Sequence, residues 1–182
     1  MTKDVFVKAC KMAEDFGSTL DIGGGEPTIH PNFWDFLGIA LSYNVENVWL
    51  ATNGKKTATA IRLADLAKKG AISCRLSLDK YHDPIDQKVI DAFKRDPGNR
   101  YENDNRASTR QDIYDGCGLI NSGRAKKLDM NKRDCCSCDT LFIVPSGKIF
   151  ACGCQKTQFG TVFAPKFPKE YEYNNDLCWE RR

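Results

Sequence analysis

The chain has 182 residues, 41% hydrophobic and 28% charged, enough for one core-bearing domain with a small appended module. Its net charge of +3 comes from scattered Lys and Arg rather than a basic block, so direct nucleic-acid binding is not indicated. No apolar run approaches the ~20 residues of a membrane helix, and Met1-Thr2-Lys3-Asp4 leads into an amphipathic pattern without a secretory signal, so a soluble cytoplasmic protein is expected.

The first predicted element is a helix. Thr2 can cap it, Asp4 suits its positive end and Gly17 can close it, with Val5, Ala9, Met12, Ala13 and Phe16 on the inward face. A short strand over Ser18–Ile22 is cut off by Gly23, Gly24 and Gly25. Pro31 fits the first turn of a second helix with Phe33, Phe36, Leu37, Ala40 and Leu41 inward. A strand over Val45–Ala51 turns at Asn53-Gly54, and a helix over Thr57–Lys69 closes at Gly70. Ser73–Asp79 is the third strand and Pro84–Arg95 the helix after it.

The strand centres Leu20, Val48 and Leu76 are spaced 28 residues apart. A strand and its crossover helix take roughly 30 residues, so the pattern predicts a run of parallel βα units. Right-handed crossovers then gather the loop after each strand at one end of the sheet, where ligands bind. Asp96–Gly116 is polar and aperiodic and reads as a long loop, and Gly118–Ala125 as a further short strand with its turn. Thr140–Val144 and Lys148–Ala151 around Pro145-Ser146-Gly147 predict a β-hairpin. The tail after Gly160 reads as irregular and aromatic, and is expected to pack across the body. Residues 1–125 are thus expected to form the βα domain, and 126–182 a cysteine-rich hairpin module with its tail.

Nine cysteines without a secretory signal favour thiols or metal ligands over disulfides. Five of them, Cys135, Cys136, Cys138, Cys152 and Cys154, bracket the hairpin. Two short thiolate clusters can supply the four ligands of a tetrahedral zinc, and an iron–sulfur cluster also fits. The plainer alternative is a set of buried free thiols.

The remaining chemistry falls on the expected ligand-binding rim. Gly23-Gly24-Gly25-Glu26-Pro27-Thr28 lets backbone approach a ligand beside a carboxylate that can hold an ammonium group; taken alone it reads equally as a βα turn with a surface Glu. Thr52-Asn53-Gly54, Ser77-Leu78-Asp79 and Gly123-Arg124-Ala125 follow in order. His30 and His82 read as polar turn residues, Trp34 and Trp49 as core. Asp79 and Asp83 are a conceivable carboxylate pair, although loop aspartates more often satisfy turn backbone. For Arg106, Arg110 and Arg124 the sequence leaves solvation and an anionic partner equally open.

This ordered set resembles the radical S-adenosylmethionine (SAM) superfamily over roughly residues 1–163. The resemblance implies a partial parallel βα barrel missing its first strand. It also implies a SAM site: Gly23, Gly24, Gly25, Glu26 and Pro27 at the methionine amino group, with Thr52, Asn53, Ser77, Asp79 and Arg124 toward ribose and adenine. The C-terminal cysteines resemble a shortened form of the family's auxiliary-cluster extension, with Cys178 as its one conceivable later ligand. The family's Cys-x3-Cys-x2-Cys motif, whose three thiolates hold a [4Fe–4S] cluster, has no counterpart here, and Cys10 lacks partners at that spacing. Because the chain begins with Met, natural truncation is the expected explanation, with a fragment of a longer enzyme as the alternative.

On truncation, the Ser18–Ile22 strand becomes a sheet edge open to a partner's strand. The expected function is then a non-enzymatic, metal-stabilised binding protein acting on a protein or ribonucleoprotein partner. By analogy with mobile genetic elements, this would be an anti-CRISPR-like inhibitor of a host defence nuclease. The alternatives are a radical SAM enzyme whose cluster motif lies outside this chain and, last, a SAM-binding sensor.

Overall fold

The structure, a computed structural model, describes residues 1–78, 82–94, 108–111, 140–153 and 155–168. The chain divides into two compact units, one of residues 10–113 and one joining residues 1–9 to 114–182.

The element order begins α1 (Lys3–Asp15), β1 (Leu20–Ile22), a single 3-10 turn (Pro27–Ile29), α2 (Phe33–Leu41) and β2 (Val48–Thr52). It continues with α3 (Thr57–Lys68), β3 (Ser73–Leu78), α4 (Gln87–Phe93) and β4 (Ser108–Gln111). The four strands form one parallel sheet in the order β1-β2-β3-β4, with Leu20 opposite Val48 and Thr52 opposite Leu76. The 28-residue period therefore does mark parallel βα units. β1 pairs with β2 alone among the described residues, so it is the expected edge.

Strand alternation gives this sheet two chemically different faces. Val48, Leu50, Thr52, Cys74 and Leu76 are all buried on one of them. Over that face α3 packs against β3 and α4, bringing in Leu63, Ala64, Ala67, Val89 and Phe93. Each large side chain of this kind contributes roughly 2 kcal/mol by leaving water. The opposite face carries Asp21, Trp49, Ala51, Ser73, Arg75 and Ser77, of which Ser73 alone is buried.

Helix ends follow local chemistry. The Thr2 hydroxyl accepts from the Val5 N–H at 3.4 Å, and Gly17 and Gly70, both at positive φ, follow α1 and α3 as expected. Asp86 caps α4 by accepting from the Lys88 N–H at 2.9 Å, which starts that helix at Gln87 rather than Pro84. Glu14 Oε1 accepts from the Asn44 N–H at 2.8 Å, fastening α1 to the loop before β2.

Several expectations are corrected. The buried face of α1 is Val5, Phe6, Ala9 and Cys10, and Phe16 is 52% exposed because Gly17 turns the chain directly after it. Leu41, at the last position of α2, is likewise exposed. Within the expected Asp96–Gly116 loop, Ser108–Gln111 is a strand parallel to β3, with Arg75 opposite Ser108. The rest of that stretch and the expected Gly118–Ala125 strand lie outside the described residues.

In the other unit, β5 (Phe142–Ile143) and β6 (Lys148–Phe150) form the expected hairpin, with Gly147 at φ +83° in its turn. The same antiparallel sheet continues with β7 (Gln158–Thr161) and β8 (Ala164–Pro165), so the stretch after Gly160, expected to be irregular, begins inside a strand and adds another. Ile149, Ala151, Cys152, Phe159 and Val162 are buried.

Gly54 shows how tightly the β2–α3 turn is held. Its φ is +73°, and a Cβ there would sit 2.8 Å from both Ile85 Cδ1 and Leu76 Cδ1. Gly54→Ala is expected to cost about 2–4 kcal/mol, combining left-handed strain with overpacking. Urea unfolding measures this; a cost within 0.5 kcal/mol, about the level of an ordinary surface substitution, would show that the turn relaxes freely.

Candidate functional site

The loop after β1 and the end of β2 meet at one carboxylate. Glu26 Oε1 accepts from the Thr28 hydroxyl at 2.7 Å, the Thr52 hydroxyl at 2.9 Å and the Thr28 N–H at 3.2 Å, while Oε2 accepts from the Asn53 N–H at 2.6 Å. Glu26 is thus the N-cap of the Pro27–Ile29 turn and also a clasp between two loops 26 residues apart in sequence. Charge-assisted bonds of this kind are shorter and stronger than neutral ones.

The clasp explains two buried polar residues. Thr28 and Thr52 are 3% and 2% exposed, and each hydroxyl finds its acceptor in Glu26. Thr52 Oγ1 also accepts from the Gly54 N–H at 3.2 Å, extending the network into the tight turn. Asn53 Oδ1 accepts from the Lys55 N–H at 3.0 Å, and Lys56 Nζ donates to the Thr28 carbonyl at 3.0 Å. Lys55 pairs with Asp83, so Asp83 engages a lysine across the rim.

The glycines behave differently from Gly54. Gly23, Gly24 and Gly25 are exposed, and a Cβ at any of them would meet nothing within 4 Å. Only Gly24, at φ +128°, has a backbone conformation that disfavours a side chain. Packing among the described residues therefore makes no demand for glycine at 23 or 25. The loop leaves bare backbone at the carboxyl end of a parallel sheet, the usual ligand-binding edge of such sheets.

Of the other expected site residues, Pro27 opens the turn that Glu26 caps, and Ser77 is half-buried near the end of β3 without a hydrogen bond to Glu26. Asp79 and Arg124 lie outside the described residues, as do Cys135, Cys136, Cys138 and Cys154. Cys152 is described and buried. Among the described residues, no three His, Cys, Asp or Glu side chains gather as a metal site. Nor is any helix of these residues long and apolar enough to cross a membrane.

His30 takes the turn role expected of it, its Nδ1 accepting from the Asn32 N–H at 3.2 Å and its ring stacking on Phe36 at 4.9 Å. Trp34 and Trp49 are half-buried rather than core residues, each with an arginine over its ring: Arg62 at 4.1 Å and Arg75 at 6.0 Å. The sequence reading missed Lys56, whose reach to Thr28 has no local signal. It also missed Arg75, which is visible as the one charge in an otherwise uncharged strand.

No family model matches the chain, and no solved structure matches it. Over 60 residues it is 37% identical to the mycofactocin maturase MftC of Mycobacterium ulcerans (strain Agy99). That segment is 33% of this chain and 16% of the maturase, so the chain corresponds to a small part of that protein. The likeness supports a radical SAM relationship over that segment.

Cys10 and Cys74, both inaccessible to solvent, have thiols pushed up to about 12 by burial, with the Glu26 charge adding to the effect at Cys74. Neither is a ready thiolate ligand or nucleophile. An unfolded thiol ionises near 9, so these two contribute stability that is complete below pH 9 and lost progressively toward pH 12. Both are expected to resist a thiol-modifying reagent at pH 8 until the chain unfolds. Labelling followed by peptide mass mapping tests this, and rapid modification of either in the native protein would contradict the burial.

Proposed function

We propose that the unit of residues 10–113 is the SAM-binding part of a radical SAM-type fold, an incomplete parallel βα barrel. The observation that carries this is the Glu26 clasp beside bare glycine backbone at the carboxyl ends of the strands. The sequential strand order supports it, since a barrel wall winds steadily in one direction whereas a doubly wound sheet reverses.

The residues present fit the group. Oε1 of Glu26 already accepts three bonds and Oε2 only one, so Oε2 retains capacity for an ammonium donor. The carbonyls of Gly23–Gly25 would share that ammonium, with Pro27 fixing the loop, while Thr52, Asn53, Ser77 and Asp79 would border the nucleoside. A reduced [4Fe–4S] cluster supplies the electron for reductive cleavage in such enzymes, and no residue of this chain is assigned to it. Cys135, Cys136, Cys138, Cys152 and Cys154 are proposed to hold zinc, or an iron–sulfur cluster, as the stabilising metal of the C-terminal unit.

A second reading is favoured by β1, which pairs with β2 alone among the described residues. A partner's strand could add at that edge, and the chain would then be a non-enzymatic binding protein. Its target would be a cytoplasmic protein or ribonucleoprotein, with anti-CRISPR-like inhibition of a host defence nuclease as one form of that role.

Gly25→Val separates these readings, because it places methyl groups in open space without a positive φ to oppose them. Native mass spectrometry of anaerobically purified protein should show a SAM adduct on the wild type and at least a tenfold loss in the variant, with the unfolding midpoint unchanged. One bound zinc is expected in both. Wild-type protein without SAM, or equal binding by the variant, would overturn the SAM site and leave the β1-edge reading.

A further inference from the structure

The face of the parallel sheet opposite the one that holds α3 carries an arginine with no counter-charge among the described residues. Arg75 is half-buried in the middle of β3, and its Nε is buried with no hydrogen-bond partner among the described residues. Among the described residues no carboxylate lies within ion-pair distance of it. Its one ring contact is Trp49, with 6.0 Å between the guanidinium carbon and the ring centre, at the outer limit of a cation–π interaction. Asp21, the one acidic residue on β1–β3, stands in register with Trp49. It is two strands from Arg75, about 10 Å by strand spacing alone.

The neighbours along β3 differ in how far they are committed. Ser73 has its hydroxyl engaged, accepting from Asn47 Nδ2 at 2.9 Å. Ser77, on the same face and nearer the carboxyl end, has no hydroxyl partner among the described residues. Arg110 of β4 stands in register with Ser77.

A guanidinium cannot discharge itself by losing its proton, and its fork of donors matches the paired oxygens of carboxylate and phosphate. Half-desolvated, and with neither a counter-charge nor a match for its Nε among the described residues, it is held at a cost that a bound anion would offset. We propose that the Arg75–Ser77 stretch of this sheet face is a binding site for an oxyanion, the carboxylate or phosphate group of a ligand, with Arg75 determining specificity. The site is anchored by Arg75 in β3, not by the glycine loop; it reaches toward Ser77, which the proposed SAM site shares, but takes nothing from Glu26, on which that site rests.

The test titrates the isotope-labelled full chain with inorganic phosphate and, separately, with acetate at constant ionic strength. The Arg75 Nε–Hε resonance and the amides of Ser73–Leu78 are followed by NMR. Saturable shifts confined to this stretch are expected, and the anion that saturates first identifies the preferred chemistry. Arg75→Met keeps the side-chain length and is expected to weaken binding by roughly tenfold or more, with an unfolding midpoint unchanged or raised in anion-free buffer. Ser77→Ala should weaken binding less, and Glu26→Gln should titrate like wild type even where SAM binding is lost. No saturable shift with either anion, equal binding by Arg75→Met, or a lowered midpoint in that variant without any anion effect would overturn the proposal and leave Arg75 as a packing residue.

Discussion

A single carboxylate organises the strand-end rim. Glu26 draws donors from its own 3-10 turn, from the last residue of β2 and from the residue after it, so the ends of two neighbouring strands are fixed relative to each other by one group. The geometry changes what a Gly-Gly-Gly-Glu-Pro sequence means here. The glutamate is first a structural tie, and only its less engaged oxygen is available to a ligand. The cost of burying Thr28 and Thr52 is met by the same tie, since a buried hydroxyl without a partner would be destabilising. Removing the carboxylate would therefore strand several donors together.

The sheet below this rim divides its work between faces. Leu50, Cys74 and Leu76 hold the helices, and their close fit leaves no room beside Gly54 for even one methyl group. The other face keeps Trp49, Arg75 and Ser77 partly open. A parallel sheet covered on both sides is normally apolar on both. A polar, half-buried face suits a barrel interior or a ligand surface better than a second helix layer. Glycine backbone at the strand ends and an arginine on the opposite sheet face thus lie on one unit of the fold.

Much of this was legible in the sequence, because the apolar periods and the turn residues agree. The 28-residue spacing gave the parallel units, and Thr57–Lys68 and the hairpin around Gly147 fall where the periodicity places them. β4 was not legible: Ser-Thr-Arg-Gln has no apolar alternation, and its place as a strand comes from pairing with β3. β7 and β8 were hidden by the short, glycine-containing strand Gln158–Thr161. Glu26 was legible as a motif residue, but its partners were not, since Thr52 and Asn53 are reached across a whole βα unit. Arg75 carried a signal in its isolated charge, although its unmatched Nε depends on packing that no local pattern encodes.

The most direct test of the Glu26 clasp is amide hydrogen exchange at Thr28 and Asn53, compared between the wild type and Glu26→Gln under native conditions. Their N–H groups bond to the two different oxygens of this carboxylate and to no helix or strand ladder. Both are expected to be protected in the wild type and to lose protection together in the variant, which presents an amide donor where one oxygen stood. If Asn53 exchanges as an open loop in the wild type, or keeps its protection without the carboxylate, Glu26 does not hold the rim together.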